Sequence, residues 1–376
     1  MARERVVVAM SGGVDSSVAA ALLVEQGYEV IGIMLRLWSE ADQGRGPSNR
    51  CCALGAQYDA ERVAQQLSIP FYVVNLSDAF KQSVVDYFED EYVAGRTPNP
   101  CVECNRHIRF GHLLRRAKAL GAEFVATGHY ARVERADGAY QLLRGRDPHK
   151  DQSYVLHVLR QDQLAHVRFP IGRFTKSHVR KMALARDLPV AGRPDSQDLC
   201  FITDGDYRRY LEQHRPDAVR PGPIARRNGD VLGQHQGLAR YTIGQRKGIG
   251  IAAAQPLYVL DMDAGTNALI VGTEDELGRD VCEAKGVNWI SGSPPAQTFS
   301  ATAKIRYRAD DVPVTVDLVG DDSVRVRFEA PLRDITPGQA VVFYHDERVL
   351  GGGMIGTAGE PPHRMCADRA KGGAYA

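Results

Sequence analysis

The sequence predicts an α/β protein in which a doubly wound parallel sheet is followed by a small β-rich connector domain and a C-terminal β-barrel. Three observations predict this arrangement. In the first half, β-branched apolar runs alternate with segments of helical spacing, as in parallel strands joined by helices. A glycine turn lies between the first strand and the first helix, where such sheets bind ligands. After about residue 193, glycine and proline punctuate short runs, which favours hairpins.

The elements of the first half follow in order. Residues 5–10 are an apolar, β-branched run, which predicts a strand buried on both faces. Residues 14–26 predict a helix that ends at Gly27, since glycine commonly follows a helix C-terminus. The same alternation predicts strands at 28–37, 70–76 and 123–130, helices at 53–67 and 78–92, and a further helix that closes at Gly121.

The second half predicts two β-rich parts and a tail. Turn residues such as Asn228-Gly229 predict hairpins within a connector domain at 205–283. Alternating segments at 298–308, 312–319, 323–330 and 340–345 predict a barrel within 284–357. Residues 358–376 are rich in glycine, proline and alanine and predict a disordered tail. With residues 1–204 as the α/β domain, the 376 residues divide as expected for a chain too long for one core.

Composition excludes several classes of protein. Hydrophobic residues make up 44% and charged residues 25% of the chain, as in ordinary globular domains. The apolar stretches are far shorter than the ~18 residues of a membrane-spanning helix. The first residues run directly into a strand pattern without the features of a signal peptide, so we expect a cytoplasmic protein. Seven cysteines in a reducing compartment favour free, catalytic or metal-bound thiols.

The charge is unevenly distributed. A net charge of +1 by itself predicts no polyanionic partner. Residues 205–250, however, carry nine basic against four acidic residues, and residues 304–308 place a tyrosine among cations. These residues could be solvated strand faces, or a basic surface for the phosphates of a large partner.

The glycine turn has the sequence Ser11-Gly12-Gly13-Val14-Asp15-Ser16. Its glycines allow backbone N–H groups to approach an anion, and the following helix contributes the positive end of its dipole. The Gly-Lys-Ser/Thr ending of a Walker loop is absent from this segment. Because Asp15 is an anion in a phosphate loop, it is a candidate Mg²⁺ ligand. The loop therefore predicts a nucleotide site.

Two cysteines stand at a predicted helix start. Within residues 97–105 (TPNPCVECN), Asn99 suits the N-cap and Pro100 the first helical position. Cys101 and Cys104 then lie three residues apart on the first turn, where the helix dipole favours thiolate. A buried structural pair is the alternative. A third cysteine, Cys200, follows Asp195-Ser196 near the end of the α/β region.

These motifs together carry a family resemblance. The loop at 11–16 resembles the signature of the ATP pyrophosphatase superfamily. From about Val6 to about Gly356 the chain resembles the tRNA-specific 2-thiouridylase (MnmA/TrmU) family, on the motifs already quoted and on 127–130 (TGHY), 150–154 (KDQSY) and 241–248 (YTIGQRKG). The resemblance implies a Rossmann-like first domain of the adenine nucleotide alpha hydrolase type.

The resemblance also implies an activity, tRNA-uridine 2-sulfurtransfer, in which ATP activates the C2 oxygen of the wobble uridine and sulfur then replaces it. It implies Cys104 as the nucleophile and Cys200 as the persulfide carrier, supplied by a sulfur-relay protein or a cysteine desulfurase. ATP would bind Ala9, Met10, Ser11, Gly12, Gly13, Val14, Asp15, Ser16, Leu35 and Gly128. The tRNA would contact Asn99, Pro100 and Cys101 at the target base, and His129, Lys150, Asp151, Gln152, Arg306, Tyr307 and Gln339 elsewhere. Neither DNA nor a membrane is expected as a partner.

One departure leaves the sulfur chemistry open. Some family members carry an aspartate at the position of Cys101. With a cysteine at this position, a second sulfur chemistry is open in place of the persulfide route: Cys101, Cys104 and Cys200 could hold three irons of a [4Fe–4S] cluster. Zinc is less favoured, because His107 is only a weak fourth ligand. Cys51 and Cys52 have no assigned role.

Two other functions compete with thiolation. A synthetase of the same superfamily acting on a small molecule, like argininosuccinate or GMP synthetase, would leave the paired cysteines unexplained. A non-enzymatic RNA-binding protein would leave Asp15 unexplained.

Overall fold

A computed structural model describes residues 3–40, 54–194 and 199–358. Cys51, Cys52, Asp195, Ser196 and, apart from Ala358, the predicted tail lie outside the described residues. Among the described helices, none is both long enough and apolar enough to cross a membrane.

The strands, in chain order, are β1 Arg5–Ala9, β2 Glu29–Arg36, β3 Phe71–Asn75, β4 Phe124–Ala126, β5 Ala131–Ala136, β6 Ala139–Arg144, β7 Val167–Arg168, β8 Gly222–Ala225, β9 Val231–His235, β10 Tyr258–Asp263, β11 Ala268–Gly272, β12 Arg279–Trp289, β13 Thr298–Lys304, β14 Val312–Leu318, β15 Val324–Leu332, β16 Ala340–His345 and β17 Arg348–Ala358. The α-helices are α1 Val14–Glu25, α2 Leu54–Gln66, α3 Ser77–Phe80, α4 Asp86–Val93, α5 Pro100–Glu103, α6 Leu113–Ala119, α7 Gln161–Leu164, α8 Lys176–Leu184 and α9 Tyr207–His214. Two π-helical segments, Lys81–Val85 and Cys104–His112, join α3 to α4 and α5 to α6.

The first domain contains a five-stranded parallel sheet in the order β3-β2-β1-β4-β7. Its central strand is buried on both faces. Val6 and Val8 face the core against α1, and Val7 faces the core against α6. The chain leaves β1 toward β2 on one side and later returns as β4 on the other. This reversal creates a crevice at the carboxyl ends of β1 and β4, where doubly wound sheets bind ligands.

The predicted β-rich parts are confirmed. Strands β8 to β11 form a four-stranded sheet in the order β10-β11-β8-β9, and β8 and β9 are joined by the expected turn at Asn228-Gly229. Six strands, β12 to β17, close into a barrel because β12 pairs with both β15 and β17.

Two features of the first domain differ from the sequence prediction. The strand predicted at 123–130 ends at Ala126, because Gly128 leaves the sheet to pack against the N-terminus of α1. Residues 131–144, for which no strand was predicted, form the β5–β6 hairpin. This hairpin adds to the barrel sheet where Leu143 pairs with Arg348 of β17. The first domain and the barrel therefore share a continuous sheet.

Candidate active site

The loop after β1 adopts a backbone shape that requires glycine at its tip. Gly12 has φ +72°, and a Cβ there would lie 2.2 Å from the carbonyl oxygen of Ala56 in α2. Only glycine avoids both the left-handed strain and this collision. Gly13 serves as the N-cap of α1, so the free N–H groups of the first helical turn point into the crevice.

Serine hydroxyls hold the same turn closed. Ser17 Oγ donates to the carbonyl oxygen of Gly13 at 2.8 Å, and Ser16 Oγ donates to it at 3.2 Å. The Ser11 backbone N–H donates to Ser16 Oγ at 3.2 Å. From the next strand of the sheet, Gly128 approaches so closely that a Cβ there would lie 2.8 Å from Asp15 C and Ser16 N. The structure thus brings the predicted ATP residues of the loop and Gly128 to one point.

Asp15 has partners that the sequence did not indicate. Lys176 Nζ lies 2.8 and 2.7 Å from the two carboxylate oxygens of Asp15, and the Tyr130 hydroxyl donates to Oδ1 at 2.8 Å. The counter-charge of Asp15 in this structure is therefore Lys176, and its role as a Mg²⁺ ligand stays a prediction. Lys176 is the first residue of α8, after the N-cap Thr175. A cation at a helix N-terminus is unfavourable because it opposes the helix dipole. This placement was the one sequence feature that could have marked Lys176 as a functional residue.

An arginine also reaches the loop from outside the motif. Arg193 Nη1 donates to the carbonyl oxygen of Gly12 at 2.7 Å and lies 2.7 Å from Asp59 Oδ2 of α2. It therefore ties the phosphate loop to the helix on which Gly12 rests. No short-range pattern in the sequence marks Arg193, because its partners are distant in the chain.

The two cysteines of the CxxC segment have different environments. Asn99 caps α5 as predicted, accepting from the Cys101 N–H at 3.2 Å, and Pro100 is the first helical residue. Cys101 is exposed, whereas Cys104 is buried at the start of the π-helical segment. Burial raises the pKa of the Cys104 thiol, and the positive charge of Arg109 opposes this shift. The expectation that the helix start favours a Cys104 thiolate is therefore wrong, because burial outweighs the charge effects.

Cys104 and Cys200 both contact one apolar cluster. Cys104 belongs to a core that includes Trp38, Phe88 and Phe201, and the half-buried Cys200 packs against the same core. Leu35, the predicted adenosine contact, also packs against this cluster. Both predicted catalytic cysteines therefore pack in one cluster with residues at the end of β2. Cys282, by contrast, belongs to the barrel core.

The segment that carries Cys200 is held by a buried carboxylate. Glu40 is fully buried, and its two oxygens accept from Arg209 Nη1 at 2.5 Å and Nη2 at 2.7 Å. Glu40 Oε2 also accepts from Thr203 Oγ1 at 3.2 Å, and the Glu40 N–H donates to the Phe201 carbonyl oxygen at 3.1 Å. The main-chain and side-chain hydrogen bonds of Glu40 therefore fix the position of the residues directly after Cys200. Sequence reasoning missed Glu40.

The cysteines do not fit the alternative of an iron–sulfur cluster. Within residues 3–40, 54–194 and 199–358, no three His, Cys, Asp or Glu side chains come together as a metal ion would require. Cys101 lies at the surface and Cys104 in the core. His107, the weak zinc candidate, lies 3.2 Å from the carboxylate of Glu103.

The barrel contacts the segment that precedes the CxxC helix. Gln339 Nε2 donates to the carbonyl oxygens of Thr97 at 2.8 Å and Pro98 at 3.3 Å, and the Thr97 N–H donates to the Pro337 carbonyl oxygen at 2.9 Å. A Cβ on Gly338 would lie 2.9 Å from Thr97 N. Gln339, predicted as a tRNA contact, thus positions the segment that precedes Asn99.

The other predicted tRNA residues divide into exposed and buried side chains. Arg306 is exposed and pairs with Asp334 at 2.6 Å, and Tyr307 and Lys150 are half-buried. Gln152 accepts from the Tyr130 N–H at 3.0 Å.

The remaining two are built into the protein interior. Asp151 is buried and accepts from the Gly145 N–H and from the N–H and hydroxyl of Ser153. His129 is buried, its Nδ1 is 2.6 Å from Thr127 Oγ1, and burial together with Arg109 lowers its pKa well below the usual value. A tRNA contact through either side chain stays a prediction, and in the structure both brace loops beside the crevice.

The fold and the loop define an α/β nucleotide-binding enzyme class with a phosphate site at the sheet crevice. Family models match the chain in three parts: a "tRNA methyl transferase HUP domain" over residues 4–204, a "tRNA methyl transferase PRC-barrel domain" over 208–273 and an "Aminomethyltransferase beta-barrel domain" over 279–355.

Full-length relatives carry a more specific name. The tRNA-specific 2-thiouridylase MnmA of Roseiflexus castenholzii is 52% identical, over 93% of this chain and 99% of that protein. The enzyme of the same name from Geobacter metallireducens is 51% identical, over 95% and 98%. A third, from Clostridium perfringens, is 47% identical, over 94% and 99%. The chain belongs to the tRNA-specific 2-thiouridylase MnmA family.

Proposed function

We propose that the protein catalyses ATP-dependent 2-thiolation of the wobble uridine of tRNA. The observation that carries the proposal is the placement of Cys104 and Cys200 in one apolar cluster that also packs against Leu35, at the edge of a phosphate-binding crevice. Family membership supports the same reaction, since the relatives are tRNA-specific 2-thiouridylases. Such a substrate is consistent with a cytoplasmic location.

The first step would activate the base. A uracil C2 oxygen is a poor leaving group, so transfer of AMP to it, with release of pyrophosphate, converts it into a good one. The N–H groups at the start of α1 would bind the phosphates, and Gly12 and Gly128 permit the close packing that shapes the loop around them. The ion pair with Asp15 holds Lys176 beside the loop. From there Lys176 would neutralise charge that develops on the transferred phosphate.

The second step would transfer sulfur. A persulfide on Cys200, delivered by a sulfur-relay protein or cysteine desulfurase, would attack C2 through its terminal sulfur as AMP leaves. Cys104 would then attack Cys200 Sγ, so that the sulfur–sulfur bond breaks, 2-thiouridine departs and a Cys104–Cys200 disulfide forms. Alternatively, Cys104 would break the persulfide first and free sulfide as the attacking species. Both routes use the same two thiols, and neither requires Cys101.

The tRNA would reach this site from the barrel side. Asn99 and Pro100 form the N-terminus of α5, which the barrel residue Gln339 holds in place through the Thr97 and Pro98 carbonyls. A base in a flexible loop can leave its stack at a cost of a few kcal/mol. The exposed Arg306 and Arg308 lie on the barrel and would contact the phosphate backbone.

Reconstitution tests the proposal directly. Purified protein would be incubated with tRNA, ATP and a persulfide donor, followed by mass spectrometry of the nucleosides and measurement of pyrophosphate. We expect 2-thiouridine at the wobble position, with thiolation lost in Cys104→Ser and Cys200→Ser while tRNA-dependent pyrophosphate release persists. Cys282→Ser is the matched control, because that thiol belongs to the barrel core. Absence of wobble 2-thiouridine with the wild-type protein would refute the function.

A further inference from the structure

The connector domain presents a basic loop, defined as Tyr241–Gly250, that the reaction described so far does not use. Of the nine basic residues at 205–250, three are engaged by carboxylates: Arg209 by Glu40 and Asp204, Arg215 by Asp90, and Arg240 by Glu212. Arg246 and Lys247 are exposed at the tip of the basic loop, and no carboxylate of the described chain pairs with them. Among residues 3–40, 54–194 and 199–358, nothing therefore compensates the two positive charges of the tip.

The shape of the basic loop is strongly determined. Gly244, Gly248 and Gly250 have φ of +84°, +82° and +77°, values that side chains rarely tolerate. The amide side chain of Gln245 accepts from the Thr242 N–H at 3.1 Å and donates to the Lys247 carbonyl oxygen at 2.8 Å. Main-chain bonds to Val259 fasten the loop to β10. Such bracing lowers the entropy lost when the two cations are fixed by a ligand.

A short barrel segment, residues 333–339, connects the basic loop to the active site. A Cβ on Gly244 would lie 3.2 Å from the Arg333 carbonyl oxygen, so the loop rests against the start of this segment. Asp334 within the segment pairs with Arg306. At its other end, Gln339 donates to Thr97 beside the CxxC helix. Arg333 and Gln339 are six residues apart, so at most ~22 Å of extended chain separates them, and the base of the loop lies within that distance of the CxxC segment.

From this arrangement we propose that Arg246 and Lys247 bind the phosphate backbone of the substrate RNA next to the target nucleotide. The ligand is polyanionic RNA, because two adjacent exposed cations, without ion-pair partners among the described residues, suit the charge of neighbouring phosphates. The proposal rests on the tRNA substrate proposed above. It adds the connector domain to the RNA-binding surface and assigns a purpose to the motif YTIGQRKG.

The test measures tRNA binding as a function of salt for the double variant Arg246→Gln/Lys247→Gln. Loss of two phosphate contacts should make the log–log salt slope shallower by about 1.4–1.8 units. The apparent affinity should fall, whereas ATP affinity and the unfolding midpoint should stay unchanged. A minimal hairpin with only the anticodon stem and loop should show the same loss of slope, because the basic loop lies near the active site.

The matched control removes the same two residue types elsewhere. Arg116→Gln/Lys118→Gln changes two exposed cations on α6, and its slope should equal that of the wild type. An unchanged slope in the Arg246/Lys247 variant, an equal change in the control, or an effect that disappears with the hairpin would overturn the inference. Failure of the wild type to thiolate tRNA would instead reject the proposed function, so the two failures are distinguishable.

Discussion

Replacing the buried Glu40 by glutamine should both destabilise the protein and uncouple sulfur transfer from adenylation. Glu40→Gln keeps the size of the side chain but removes the charge that faces Arg209 at 2.5 and 2.7 Å. Breaking a buried ion pair costs about 3–5 kcal/mol when the remaining charge has no other partner. Arg209 keeps Asp204, 2.6 Å away, so the free energy of unfolding should fall by about 2–3 kcal/mol, at or just below the lower end of that range.

The effect on activity follows from what Glu40 holds. Its bonds to Thr203 and Phe201 position the chain directly after Cys200, whereas the phosphate loop has separate supports at Ala56 and Gly128. We therefore expect Glu40→Gln to lose most thiolation and to retain tRNA-dependent pyrophosphate release. Asp90→Asn is the matched control: it removes an exposed carboxylate from Arg215 of the same region and should cost at most ~1 kcal/mol.

The pH dependence of stability gives Glu40 a signature of its own. Burial raises the pKa of Glu40, but the hydrogen bonds from Arg209 and Thr203 outweigh burial and hold it below its ordinary 4.5. A depressed pKa means that the stabilisation is present above pH 4.5 and is lost as pH falls through the lower folded-state value. The difference in unfolding free energy between wild type and Glu40→Gln should therefore shrink below pH 4.5. A variant as stable as Asp90→Asn, with normal thiolation, would refute this reasoning.

Four further predictions concern the two halves of the reaction. Gly128→Ala would place a Cβ 2.8 Å from backbone atoms of Asp15 and Ser16, so ATP affinity should fall at least tenfold while tRNA binding persists; normal ATP affinity would contradict the packing. Lys176→Met should strongly slow pyrophosphate release, since Asp15 then lacks its counter-charge; an unchanged rate would remove Lys176 from the adenylation site. Cys101→Ser should keep appreciable thiolation with a persulfide donor, and a dead variant that folds normally would argue against the two-thiol route. Iodoacetamide at pH 7 should alkylate exposed Cys101 before Cys104, whose pKa burial raises; peptide mass spectrometry with the reverse order would show that Cys104 is accessible as thiolate.

Patterns confined to one element predicted this protein well. The apolar run at β1 and the Gly12-Gly13 turn predict a buried strand and an anion site, because burial on both faces of β1 and the positive φ of Gly12 leave few alternative residues there. Asn99 and Pro100 likewise predict the start of α5, since capping depends on adjacent residues. The type of an element and the ligand class of its terminal loop could therefore be predicted from short segments.

Features that depend on distant residues were not readable in this way. Lys176 pairs with Asp15 and Glu40 with Arg209, across more than 160 residues in each case. The raised pKa of Cys104 likewise depends on burial, which residues from both ends of the first domain provide. The position of Cys104 at a helix start predicted a thiolate. That prediction was wrong, because the helix dipole stabilises the charge by less than removal from water destabilises it.

The apolar surroundings of the two cysteines suit the chemistry that the site must perform. AMP transfer needs a polar crevice with N–H groups and a cation, which the loop, α1 and Lys176 would supply. Sulfur transfer needs the opposite, since an activated base exposed to water would be hydrolysed before a thiol could reach it. Leu35 packs against both the sheet core and the cysteine cluster, so the polar and apolar halves meet at the end of β2. Under the proposed function, a target base held there would be activated on one side and attacked by sulfur on the other without leaving the site.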